Sequence, residues 1–199
     1  MLSDDLLPLI GFAIAGSWTP GPNTVMLAAS GATFGWRATM RHVMGITVGF
    51  PVMLFAVALG LGETFERLPG LRLAMAWVGA AVMLWFAWRI ASAAPVSAGT
   101  NRSRPLGFFE AAGFQWINPK AWTLAIGVSA TYASGANPVP EALTATFVFA
   151  AAGIVGATGW AVFGSAIGRL LGTGPRLRTF NVVMGVLLAA SAIALVVDA

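Results

Sequence analysis

The stretch Trp18-Thr19-Pro20-Gly21-Pro22-Asn23 interrupts an apolar run from about Leu6 to Ala32. Neither proline has an amide hydrogen, so a helix through them leaves the carbonyls of Gly16 and Trp18 without donors. In hydrocarbon an unsatisfied backbone group costs several kcal/mol, and such a break survives only where it is buried in protein or lines a wet cavity. Trp116-Ile117-Asn118-Pro119-Lys120 repeats the feature downstream, and there Pro119 deprives the Gln115 carbonyl of its donor. Every other element has to accommodate these two breaks.

Hydrocarbon is the relevant solvent because the chain cannot cover a water-facing surface. It is 58% hydrophobic and 9% charged, with a mean hydropathy of +0.82; a soluble domain carries roughly 25% charged residues. The reading is an all-α integral membrane protein in a lipid bilayer. No cysteine is present, which excludes disulfides, thiolate metal sites and thiol relays. One histidine and scattered carboxylates offer neither a metal cluster nor a nucleophile–base set, so no cofactor is expected and an enzyme is disfavoured. No basic run interleaved with aromatics points to nucleic acid. The N-terminus opens on Asp4 and Asp5 rather than a basic region, which argues against a cleaved signal peptide.

A spanning helix needs roughly 20 mostly apolar residues. Six segments qualify, at about 6–34, 41–62, 70–91, 106–133, 141–168 and 177–197, and the first and fourth carry the breaks. A polar stretch at about 95–104, with Pro95, Ser97, Gly99, Asn101 and Ser103, reads as a central linker. Loops one, three and five hold eight arginines (Arg37, Arg41, Arg89, Arg102, Arg104, Arg169, Arg176, Arg178), against Arg67 and Arg72 on the other side. The positive-inside rule then puts those three loops in the cytoplasm and both termini outside, with Asp4, Asp5, Glu141 and Asp198. Trp36 and Trp88 fit an interfacial aromatic belt.

Aligning Pro20 with Pro119 makes each half, about 1–94 and 105–199, three helices that begin with a broken one. Three is odd, so the second half enters the membrane in the opposite sense, the inverted-repeat plan of many secondary transporters. The pairs Gly31 and Gly35, Gly45 and Gly49, and Gly168 and Gly172 have small-xxx-small spacing. Packing inside one subunit is the favoured use of such pairs, and a homodimer contact the alternative. Pro51 is expected to kink the second helix.

At each break a new half-helix begins, with free amides and the positive end of its dipole. Thr19 and Asn23, and at the second break Asn118, add neutral donors and acceptors. A midplane site of this kind suits a zwitterion, its carboxylate toward half-helix N-termini and its ammonium toward carbonyls. Lys120 is the most informative single residue. A cation near the bilayer centre costs about 3 kcal/mol on insertion scales. It therefore binds a substrate carboxylate, exchanges protons, or snorkels to an interface. Glu110 reads either as a proton-coupling group or as a solvated helix-end carboxylate. His42, beside Arg41, reads as an interfacial residue rather than a proton switch. Trp18, Trp116 and Trp122 flank the breaks, as cavity walls or as core. A passive channel and a membrane scaffold remain rival classes; the lack of a filter-like sequence counts against the channel.

TPGPN at Thr19–Asn23, the later ASGATFGWRATMRHVMGITVGF and the FQWINPKAW of the second break together resemble the LysE/RhtB family of amino-acid exporters. The resemblance covers essentially the whole chain and looks most like the branch exporting cysteine, O-acetylserine and similar neutral amino acids. It implies proton-driven efflux across the bacterial inner membrane. It also implies a place in or beside the transport pathway for Pro20, Gly21, Pro22, Asn23, Asn118, Pro119 and Lys120.

Overall fold

Prolines set the helix starts. Pro22, Pro69, Pro119, Pro138 and Pro175 each occupy the first helical position, where the missing amide would have had no partner. The structure, a computed structural model, describes residues 3–93, 104–135 and 137–197. The central linker lies outside these except for Arg104, as do Asp198 and the side chains of Asp4, Glu66 and Arg72.

The first apolar segment forms α1 (Ser3–Trp18) and α2 (Pro22–Phe34), parted at the first break. The second forms α3 (Trp36–Ala56), a π-turn at Val57–Leu61 and a short α4 (Gly62–Arg67); the third is α5 (Pro69–Ala91). The fourth is α6 (Phe108–Phe114), a 3-10 turn at Gln115–Ile117 and α7 (Pro119–Tyr132), parted at the second break. The last two are α8 (Pro138–Leu171) and α9 (Pro175–Val197). No strand occurs among the described residues. Trp36–Leu61, Leu73–Ala91, Pro138–Leu171 and Pro175–Val197 are each long and apolar enough to cross a membrane. Their outer faces are apolar too: Trp77, Phe147, Val155, Val186 and Ile193 are all exposed.

Three expectations change. The first connection, expected between the segments at about 6–34 and 41–62, shrinks to Gly35, whose φ of 82° ends α2 and lets α3 start at once. Gly35 and Gly172 are therefore chain-reversing caps with positive φ, not packing residues; a methyl group added at either would meet nothing within 4 Å. Helical geometry continues through Pro51 and is lost later, at Val57–Leu61, where Gly60 has a φ of 114°.

The other glycines of those pairs do bring backbones together, within the chain. Methyl groups on Gly31, Gly164 and Gly168 would collide with the Ala161, Ala28 and Ala32 carbonyls respectively, so α2 and α8 touch backbone to backbone. Gly45 and Gly49 press the same way on Phe108 and Ala112, seating α6 on α3. The contacts also fix directions. Ala28 meets Gly164 and Ala32 meets Gly168, so α2 and α8 run parallel; α3 and α6 do likewise. Phe50 stacks on Phe149 while Thr47 approaches Gly153, so α3 and α8 are antiparallel. Gly79 meets Leu195 while Gly185 meets Ala87, so α5 and α9 are antiparallel.

Candidate functional site

Two hydrogen-bonded links join the breaks. The Asn23 amide, on the first turn of α2, donates to Gln115 Oε1 at 2.8 Å. The Lys120 ammonium, on the first turn of α7, donates to the Thr19 carbonyl at 2.5 Å. Lys120 is half-buried and turned inward to the first break, so the snorkelling alternative does not apply. Its stem lies so close that a methyl group on Gly21 would sit 2.8 Å from Lys120 Cδ. Gly21 has an extended backbone that any residue adopts (φ 176°); glycine is needed there for the close approach.

Each new half-helix also caps itself. The Gly21 amide donates to Thr24 Oγ1 at 2.8 Å, and the Lys120 amide donates to Asn118 Oδ1 at 3.2 Å. The Gln115 carbonyl, expected to be stranded by Pro119, accepts the Asn118 amide at 3.2 Å through the 3-10 turn. The second break is thus better satisfied than proline chemistry alone implies.

Between the breaks lies a cavity of about 80 Å³, large enough for several waters where one needs about 10–15 Å³. Gly21, Asn23, Asn118 and Lys120 line it, with Gly16 and Ser17 of α1, Thr47, Phe50 and Pro51 of α3, Gln115, and Phe149 and Gly153 of α8. Lys120 is the one ionised group among these lining residues. Pro51 matters here: its missing amide leaves the Thr47 carbonyl without its helical donor on a residue that lines the cavity.

The remaining anticipated residues frame this space. Pro22 and Pro119 start α2 and α7, Pro20 is exposed on the connecting segment, and the Thr19 hydroxyl turns back to the Ala15 carbonyl. Glu110 lies elsewhere. It receives two hydrogen bonds from the Arg104 guanidinium, at 2.6 and 2.9 Å, and one from the Gly107 amide that opens α6. The tryptophans are packing residues: Trp116 and Trp122 stack edge to face in the core, and Trp18 lies over Gly159 and Trp160. His42 is enclosed by protein. It has 0% exposure, because it lies on the inner face of α3 while Arg41 lies on the outer one.

Gln115 was missed from sequence. It is 1% exposed, donates to the Ala111 carbonyl at 2.8 Å and accepts from Asn23. Its signal was available, since a lone amide in an apolar run needs a buried partner. Truncating Asn23 or Gln115 to alanine is expected to lower stability by about 1–3 kcal/mol, the cost of stranding the other amide. Truncating both is expected to cost clearly less than the sum, because the two form one contact. Thermal unfolding of the two single variants and the double variant in detergent checks this.

Similarity to known proteins bears on this geometry. No solved structure matches the chain. A "Cysteine/O-acetylserine efflux protein" of Klebsiella pneumoniae is 31% identical over 160 residues, 80% of this chain and 81% of the relative. Its Salmonella typhimurium counterpart is 29% identical over 163 residues, covering 79% and 81%. The same-named protein of Escherichia coli K12 is 26% identical over 187 residues, 92% of both. The family model for LysE type translocators matches residues 14–199, which takes in both breaks and the cavity between them. The chain belongs to the LysE type translocator family.

Proposed function

We propose that the chain is a proton-coupled exporter of small neutral amino acids, working by alternating access around the cavity between the two breaks. One observation carries this: two broken helices, 92 and 101 positions apart in their paired residues, meet at a largely apolar cavity into which they bring Asn23, Asn118 and Lys120. The cavity holds what a zwitterion needs, an ammonium for its carboxylate and unpaired backbone oxygen for its amino group. Cysteine and O-acetylserine are the substrates to try first, since the relatives carry those names. Thr19, Pro20, Gly21, Pro22, Asn23, Asn118, Pro119 and Lys120 form or frame the substrate site, and Glu110 and Lys120 are groups whose charge responds to proton movement.

The same proposal includes six passes in one domain, as inverted repeats 1–94 and 105–199, in the bacterial inner membrane with both termini outside. Helix directions support it. Six alternating passes require α2 parallel to α8, α3 parallel to α6, and α5 antiparallel to α9, as the contacts run. The packing of α1 on α8 is mirrored by that of α6 on α3. The mirror is incomplete, because α2 packs on α9 with no equally close approach of α7 to α5.

Everted membrane vesicles test the function. An imposed pH gradient is expected to drive uptake of labelled O-acetylserine that saturates and collapses with an uncoupler. Flux that follows only the solute gradient supports a channel instead, and no flux across a broad amino-acid panel overturns the proposal.

A further inference from the structure

His42 is the only histidine of the chain. It is fully buried on α3, and among the described residues neither ring nitrogen has a hydrogen-bond partner. An imidazole carries a donor and an acceptor when neutral, and buried polar groups left unpaired are few enough that each needs a cause. Packing alone gives none, since a leucine or phenylalanine fills the same space without stranding two nitrogens. An ionisable side chain within a membrane span marks an ion or proton path by default.

Its neighbourhood is defined by α6. His42, Gly45 and Gly49 share one face of α3, and Gly45 and Gly49 press on Phe108, Ala111 and Ala112. One turn back along this parallel seam, His42 is level with Pro105, just before α6 begins. In the first turn of α6, Glu110 is held by Arg104 and by the Gly107 amide. Among the described residues, the elements packed against α3 carry few other ionisable groups: none on α2, Lys120 and Tyr132 on α7, Glu141 and Arg169 on α8. On α3 itself, Arg37 and Arg41 lie within two turns. Among these, Glu110 is the carboxylate at the His42 end of α3, since α8 runs antiparallel to α3 and carries Glu141 to the far end.

We propose that His42 carries the coupled proton, with Glu110 as its counter-charge once the Glu110–Arg104 pair opens. In the conformation described, Arg104 occupies the carboxylate and His42 is left neutral and unpartnered. Opening the pair frees Glu110. The imidazole then takes one proton from water on the membrane face open at that stage and becomes an imidazolium beside a carboxylate. Re-forming the Arg104–Glu110 pair withdraws the counter-charge, and the proton leaves to water on the opposite face. One proton enters and one leaves, and no bond to carbon changes. This rests on the proton-coupled exporter reading, and adds His42 as the proton carrier to the groups named there.

Two measurements test it. In proteoliposomes, His42→Gln is expected to lose uptake of labelled O-acetylserine driven by a pH gradient while keeping exchange of labelled for unlabelled substrate without a gradient. Gradient-driven uptake equal to wild type overturns the His42 inference alone. Wild-type protein that exchanges substrate but ignores the gradient overturns proton coupling, and this inference with it. The second measurement leaves His42 itself unchanged. In wild-type protein labelled with 15N-histidine, the single imidazole reports its own protonation as the pH is scanned. Its titration is expected to shift when O-acetylserine is added and when Glu110→Gln is introduced. A titration unmoved by both overturns the proposal, even where His42→Gln fails to fold.

Discussion

Lys120→Ala is expected to abolish export while leaving folded protein in the membrane. The two halves of that result follow from different magnitudes. The ammonium's hydrogen bond to the Thr19 carbonyl is worth about 1.5–3 kcal/mol, as bonds to charged groups are. Placing a cation at this depth costs about 3 kcal/mol. Removing both nearly cancels, so stability changes little. The cavity, by contrast, has no other ionised lining residue to receive a carboxylate, and transport should fall to the background of empty vesicles. Lys120→Arg is expected to fail as well. The lysine stem runs in contact with the Gly21 backbone, and a broad planar guanidinium does not replace a compact ammonium in such a slot. Export assays paired with size-exclusion profiles check both variants; export by a well-folded Lys120→Ala protein would remove this residue from the substrate site.

Gly164→Val is expected to have the largest effect on folding. A side chain there overlaps the Ala28 carbonyl, and the adjoining contacts of Gly31 and Gly168 are also with backbone atoms. Where side chains can adjust, overpacking costs about 1–3 kcal/mol. Here none can swing aside, so α8 must move off α2 along the whole seam. In lipid, close packing of this kind is the main force holding helices together. The variant is expected to aggregate or to melt far below wild type in detergent. Gly127→Ala is the control: nothing lies within 4 Å of the added methyl, and it should be neutral or gain up to about 1 kcal/mol from helix propensity.

The breaks were readable because proline acts on its own backbone, and the effect of Pro20, Pro22 and Pro119 needs no knowledge of distant residues. The apolar segments were readable for a similar reason, as each must fill the bilayer by itself. What sequence did not supply was long-range or radial. Gln115 finds its partner 92 positions away, and no local pattern announces that. His42 was read as interfacial from its neighbour Arg41, but adjacent residues on a helix point about 100° apart, so one is exposed and the other buried. Spacing paired Gly35 with Gly31 and Gly172 with Gly168. It could not distinguish a glycine chosen for a close approach from one chosen for its positive φ.

Gly35 has a mechanical meaning beyond ending one helix. It closes α2 and opens α3 with no residue to spare, so two torsions at a single glycine set the angle between the helices. The first turn of α2, which carries Asn23, lies about 18 Å from this joint, twelve residues away at 1.5 Å each. His42 lies about two turns beyond it on the other arm. Gly35 is thus the one joint that fixes how far the first break stands from the buried imidazole along the chain. Lengthening this joint with inserted residues would disconnect the two arms, even with every side chain of the cavity left in place.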